Sequence, residues 1–474
     1  MSSGVKAMKR RGAAGPRRKT GCYTCRARHV KCDEEKPKCG HCVRKGYECV
    51  QPGFIISSTS VQKAASTPRG KTPEIEVDNN IHPSSASDVF RLSQTELTRS
   101  LVPVASNAKL LTSLDPETAE LLRVYQGGIA TWMDLYDFSL TYQRDTLRLA
   151  LSSALIRESI CALSAKQLEL TRERFVWASV AARRYGESLR LLIDACADSN
   201  ADQQEVLMAT ILLSSVELLA APGPDHKRHL YGANSFVKSR KIDATCKGID
   251  RASFWIYARQ DLAMSLMNEC PTLLPPANWN VSWSRNRVED EMGNNMVWLC
   301  SCVTSFVFGG RPSALGNENF DEFRRLMEAL DAWFENAPQT CKGVSCGTPD
   351  HDVFEELWFP VSAAAAAMAT YHEAKLLMLG EYREKFAPPF PECGDVGPQL
   401  QYHSMRIASI AISKISDGAF VNTLQPLYFA AKYVDSIQKK ARIWSILSEI
   451  ETRLGFHTAS RIEQLQNLVE KGPV

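Results

Sequence analysis

Residues 21–49 read GCYTCRARHVKCDEEKPKCGHCVRKGYEC and contain Cys22, Cys25, Cys32, Cys39, Cys42 and Cys49 in the pattern C-x2-C-x6-C-x6-C-x2-C-x6-C. A shift of 17 residues carries the first three cysteines onto the last three, so the stretch is a repeat of two three-thiolate half-units. It is dense in Cys, Lys and Arg but poor in aliphatic residues. Such a composition cannot close a hydrophobic core and needs a metal staple. The first residues lack the apolar run of an export signal, so the expected compartment is reducing, and metal binding is favoured over disulfides. Structural zinc takes four tetrahedral ligands, and two separate ions would need eight, yet six are present.

The flanking charge points to a polyanion. Residues 1–50 carry 14 Lys and Arg against 4 Asp and Glu, a net of +10, while the rest of the chain carries 42 against 49 and is −7. A basic head on a mildly acidic body predicts a polyanion partner at one end. Arg26, Arg28, His29 and Lys31 crowd a predicted helix of under two turns between Cys25 and Cys32. The equivalent stretch of the second half is less basic. The first half is therefore the expected major-groove reader of double-stranded DNA, with Arg44 and Lys45 as phosphate contacts. The arm Lys9-Arg10-Arg11 and Arg17-Arg18-Lys19 reads as a nuclear-import signal or an added phosphate contact.

The cysteine stretch resembles the fungal zinc binuclear cluster, or Zn2Cys6, DNA-binding domain. The resemblance implies two Zn2+ ions, with Cys22 and Cys39 each bridging both and Pro37 shaping the loop between the halves. One ion would then be held by Cys22, Cys25, Cys32 and Cys39, the other by Cys22, Cys39, Cys42 and Cys49. Both shells are closed in this arrangement, so the metals are expected to be structural. The family also implies a nuclear regulator of RNA polymerase II promoters of a fungal metabolic or biosynthetic pathway, reading CGG-like triplets through a basic pair. Arg28 and His29 occupy the positions of that pair here. His29 departs from the pattern, because a neutral imidazole donates a single hydrogen bond and adds no full charge.

Beyond the head, residues 1–20 form a basic arm, 21–50 the cluster and 51–108 a Ser/Thr/Pro/Asn-rich stretch expected to be a disordered linker. From 109 to 474 apolar residues recur at three- and four-residue spacing, and the expectation is a large all-α regulatory domain. Predicted helices include 145–170, 202–220, 319–335, 354–380 and 439–454. The body resembles the regulatory region that accompanies this cluster in fungal transcription factors, through HLYGANSFV at 229–237, FWIYARQDLAMSL at 254–266 and WFPVSAAAAAMATYHEAKLLML at 358–379.

No catalytic constellation is expected. Gly343-Val344-Ser345-Cys346-Gly347 matches a nucleophile elbow on paper but lies in a polar stretch between helices, and the fold that motif requires is not predicted around it. The longest apolar stretch, about 16 residues, falls short of the roughly 20 needed to cross a bilayer, so no membrane partner is expected. The alternative function is a helical co-regulator or scaffold acting mainly through protein contacts. Association as a homodimer and contacts with transcription co-regulators stay open.

Overall fold

The computed structural model divides into two units, Met1–Arg91 and Leu92–Val474. It describes Cys25, Val30, Cys32, Asp33, Glu35, residues 38–45 and Tyr47 in the first, and in the second residues 113–172, 174–220, 227–282, 288–310, 317–349, 352–386 and 395–470. The arm at 1–20 and the linker expected at 51–108 lie outside the described residues. In the first unit the described regular element is helix α1, Gly40–Arg44.

The second unit is built from helices whose starts are written in their caps. Asp115 caps α2 (Pro116–Gly127) by accepting from the Thr118 N–H, and Asp202 caps α7 (Gln203–Leu219) by accepting from Gln204 and Glu205. Each carboxylate satisfies donors that the first turn would leave orphaned. Between them run α3 (Ile129–Met133), α4 (Thr141–Leu149), α5 (Ala154–Thr171) and α6 (Arg174–Ala197). The chain continues through α8 (Arg228–Ser239), α9 (Gly248–Asn268), α10 (Glu289–Phe308) and α11 (Asn317–Asn336). It ends with α12 (Ser362–Glu381), α13 (Gly397–Ile412), α14 (Asp417–Val421), α15 (Leu424–Tyr433), α16 (Ile437–Leu454) and α17 (Ala459–Glu470).

Burial follows sequence pattern. In α12 nearly every residue is buried, including the run Ala363–Ala367, so it is a central rod packed by α10, α13 and α15. The small alanines let those neighbours approach closely. On α11, Phe320, Phe323, Leu326, Leu330 and Trp333 recur at three- and four-residue spacing, and all are buried while the opposite face is charged. Among the described residues, no helix is long and apolar enough to cross a membrane.

Three expectations are corrected. The single helix predicted over 145–170 is two, because the chain turns at 150–153 and Ser153 starts α5 afresh by accepting from the Ile156 N–H. The helix predicted from 354 begins only at Ser362; Leu357–Trp358 instead pairs antiparallel with Val344–Ser345, and Pro360 separates this pair from the helix. Helices α3, α8, α10, α14, α15 and α17 add to the predicted set. In α10 the polar Gly293-Asn294-Asn295 masks an otherwise regular face of Met292, Met296, Leu299 and Val303.

Candidate metal centre

Four of the six predicted thiol ligands lie among the described residues. Cys25, Cys39 and Cys42 are fully buried and Cys32 is partly buried, and none is in a disulfide. The Cys25 Sγ lies 3.7 Å from that of Cys39 and 3.9 Å from that of Cys42. The sulfurs of Cys25, Cys32 and Cys39 all fall within 4.8 Å of one another. Two sulfurs each about 2.3 Å from one tetrahedral zinc stand about 3.8 Å apart. The set of Cys25, Cys32 and Cys39, which the expected assignment places on one ion, therefore fits zinc in both chemistry and spacing, whereas Cys25 and Cys42 are expected on different ions.

Helix α1 organises the second half-unit. Cys39 caps it in extended backbone, and its Sγ accepts from the Cys42 N–H at 3.4 Å. Asp33 supplies a second cap, its carboxylate accepting from Gly40 N–H at 2.9 Å and His41 N–H at 3.1 Å. Gly40 suits that approach, because a Cβ there would stand 2.8 Å from Asp33 Oδ2 and push the carboxylate aside. Sequence reasoning did not single out Asp33 or Gly40, since an acid seven residues before a five-residue helix carries no periodic signal.

Arg44 and Lys45 close α1 on its solvent side. Both are exposed; the Arg44 guanidinium lies 3.8 Å from Asp33 and its side chain keeps 74% of its surface in water. Such exposure is what a phosphate contact requires. The remaining predicted positions, Cys22, Cys49, Arg26, Arg28, His29, Lys31 and the arm residues Lys9, Arg10, Arg11, Arg17, Arg18 and Lys19, lie outside the described residues.

In the second unit the nucleophile-elbow match has the wrong setting. Ser345 is exposed on the short pair with Leu357–Trp358, its hydroxyl donates to Glu355, and residues 346–349 after it are not helical. Among the described cysteines of this unit, Cys161, Cys300 and Cys341 are buried, and burial pushes the Cys161 thiol up to about 12; Cys246, Cys270 and Cys302 are partly buried, and Cys196 and Cys346 are exposed.

Comparison with known proteins matches residues 20–54 to the fungal Zn(2)-Cys(6) binuclear cluster domain and residues 120–293 to the fungal specific transcription factor domain. A transcription activator of Alternaria alternata, AMTR1, is 20% identical over 77% of this chain and 64% of its own length. The Zn(2)-C6 fungal-type transcription factor afumD of Aspergillus fumigatus is 43% identical over 14% of this chain and 19% of its own. The transcriptional regulatory protein moc3 of Schizosaccharomyces pombe is 40% identical over 14% and 12%. The chain thus spans less than two thirds of the length of each of these relatives. No solved structure matches the chain. The binuclear cluster domain is one that holds two zinc ions, in keeping with the grouped sulfurs of Cys25, Cys32 and Cys39.

Proposed function

We propose that this chain, which carries the fungal Zn(2)-Cys(6) binuclear cluster domain ahead of a fungal specific transcription factor domain, is a zinc-dependent, sequence-reading regulator of transcription that acts on double-stranded DNA in the nucleus. The observation that supports it most is the grouping of the Cys25, Cys32 and Cys39 sulfurs at zinc-ligand spacing, in a segment poor in aliphatic residues. Cys22, Cys25, Cys32, Cys39, Cys42 and Cys49 would hold the two ions, with Cys22 and Cys39 shared. Zinc supplies folding energy there and no catalysis.

DNA reading then falls to the chain's own cations. Six thiolates against two divalent ions leave −2, which the +10 of residues 1–50 outweighs. Arg26, Arg28, His29 and Lys31 would read base edges of CGG-like triplets in target promoters, and Arg44 and Lys45 would hold phosphates. Lys9, Arg10, Arg11, Arg17, Arg18 and Lys19 would direct nuclear import.

In vitro site selection with the full chain, with and without a zinc chelator, tests the reading. Enrichment of a CGG-like sequence that is lost on chelation is expected; no enriched sequence would favour a co-regulator working through protein contacts. Arg28→Ala should relax site choice, at a cost of about 1–3 kcal/mol for the cognate site, whereas Lys45→Ala should weaken all sequences about equally. A footprint on natural promoters then reads the stoichiometry, one triplet marking a monomer and two a homodimer.

A further inference from the structure

Residues 292–308 of α10 hold no charged side chain, and Trp298, Cys302 and Ser305 on the outer face of this helix are only partly buried by the rest of the unit. Helix α11 runs back along α10, with the Trp333 indole N–H donating to Met292 O at 3.2 Å. Between the two helices lies a groove of about 610 Å³. Leu299, Phe306 and Leu326 form its floor, and Ala329 and Ala332 its wall on the α11 side. Pro276 and Ala277 border one end, where Trp298 Nε1–H donates to Pro276 O at 3.0 Å. Burial pushes the Cys302 thiol up to about 12, so this side chain is a neutral part of the wall and not a reactive group.

The rim of the groove specifies the occupant's charge. Asp321, Glu328 and Glu335 recur every seven residues on α11, and all three are exposed. Glu328 and Glu335 stand four residues before and three after Ala332, which makes them its neighbours on the helix surface and sets an acidic row along the groove. Asp321 lies 3.7 Å from Arg324, and no ion pair among the described residues engages Glu328 or Glu335. Glu322 and Arg325, which also line the groove, satisfy each other at 2.6 Å. Over its whole length α11 has six acidic residues against two arginines, a sign that repels nucleic acid and attracts a basic partner.

Shape narrows the class further. The α11 wall runs from Glu322 to Asn336, about 21 Å at the helical rise, and its acidic row is as long. A small-molecule site has polar groups converging inside it, whereas here the lining charges pair with each other and the unpaired ones stand in a line outside. A long apolar trough with charge along one lip is the complement of an amphipathic helix. We propose that the groove between α10 and α11 docks an amphipathic helix of a partner protein, with its apolar stripe against Trp298, Cys302 and Ala329 and its lysines or arginines over Asp321, Glu328 and Glu335. This surface goes beyond DNA reading and does not depend on it.

The test is fluorescence polarisation of a labelled peptide titrated with the full chain. The probe is a leucine–lysine peptide of about five helical turns with leucines at three- and four-residue spacing; one control carries glutamate for lysine and another serine for leucine. The probe should bind at micromolar concentration and both controls about tenfold or more weakly. Glu328→Lys combined with Glu335→Lys should weaken the probe about tenfold and strengthen the glutamate control, and because both positions are exposed the fold is spared. Ala332→Trp, also at an exposed position, obstructs the groove and should weaken the probe about tenfold or more. Absence of binding at about 100 μM, or binding that survives both variants, would overturn the inference. A glutamate control as tight as the probe would overturn the charge assignment, and a serine control as tight would reduce the contact to attraction by an acidic surface and overturn the groove.

Discussion

Acidification should destabilise the helical unit through one histidine pair, and the effect can be sized. His372 Nδ1 and His403 Nδ1 lie 2.8 Å apart, with the residues 2% and 6% exposed. One ring must donate and the other accept, and burial disfavours a charge on either. Burial drives His372 well below the usual imidazole range, helped by His403, Arg406 and Lys375, and brings His403 to about 3, helped by Lys375. An unfolded histidine titrates near about 6.5. Between that value and the folded one the unfolded chain binds more protons, so stability is full above about pH 6.5 and falls as pH drops below it. From about pH 7.5 to about pH 5.5, a buried neutral histidine withdraws about 1.4 kcal/mol.

Two carboxyls run the other way. Burial raises Asp134 to about 7 and Glu373 well above its usual range, so in the same window the folded chain binds more protons at these groups than the unfolded chain does, and is stabilised as pH falls. The slope of the native protein alone therefore does not isolate the pair. His403→Gln does, because an amide can still bond His372 but does not titrate. The expected result is that the unfolding free energy of the native chain, relative to that of the variant, drops by about 1.4 kcal/mol between about pH 7.5 and about pH 5.5. Urea titration followed by tryptophan fluorescence measures it, since all nine tryptophans fall at or after Trp132 and report on this unit. A difference that stays constant with pH would refute the assignment of His403 as a buried neutral group.

Two further substitutions probe the packing of the same unit. Arg184 reaches both Glu158 oxygens at 2.9 and 3.0 Å, Glu117 at 2.6 Å and the Thr118 hydroxyl at 2.9 Å, which ties α2, α5 and α6 together. Arg184→Ala strands a largely buried carboxylate and should cost about 3–5 kcal/mol in urea unfolding; a loss under about 1 kcal/mol would mean that the network is effectively solvated. At Gly293 a Cβ would stand 2.2 Å from the Tyr136 ring, so Gly293→Ala should lower stability by about 1–3 kcal/mol, and an unchanged unfolding midpoint would contradict that packing.

What could be read in advance followed from how local each signal is. The cysteine repeat declares its chemistry by spacing alone, and the grouped sulfurs agree with it. Amphipathic helices such as α11 and α16 announce themselves in a single window. The break before α5 did not, because Ser152-Ser153 sits inside an unbroken apolar periodicity and acts only through a cap. The Arg184 network was illegible for a stronger reason. Glu117, Glu158 and Arg184 lie on three helices, and nothing in any one window says that their charges meet. Asp33 is intermediate, since its partners Gly40 and His41 are close in sequence but the turn between them follows no repeat.

The described part of the first unit separates two burdens that a small domain often has to share. Its local order rests on buried sulfurs, on Asp33 and on the close packing of Gly40 against it, whereas the Arg44 and Lys45 side chains stand exposed at the end of α1, where Lys45 caps the helix through its backbone N–H alone. Substituting an exposed cation of this kind shifts stability by no more than about 0.5 kcal/mol. Loss of a ligand removes folding energy outright. Where zinc carries the fold, exposed cations such as Arg44 and Lys45 are free to vary with the sequence to be read without endangering the cluster. Changes in DNA preference should therefore arise in this chain from surface cations with zinc content intact, and changes in zinc content should abolish recognition of every sequence together.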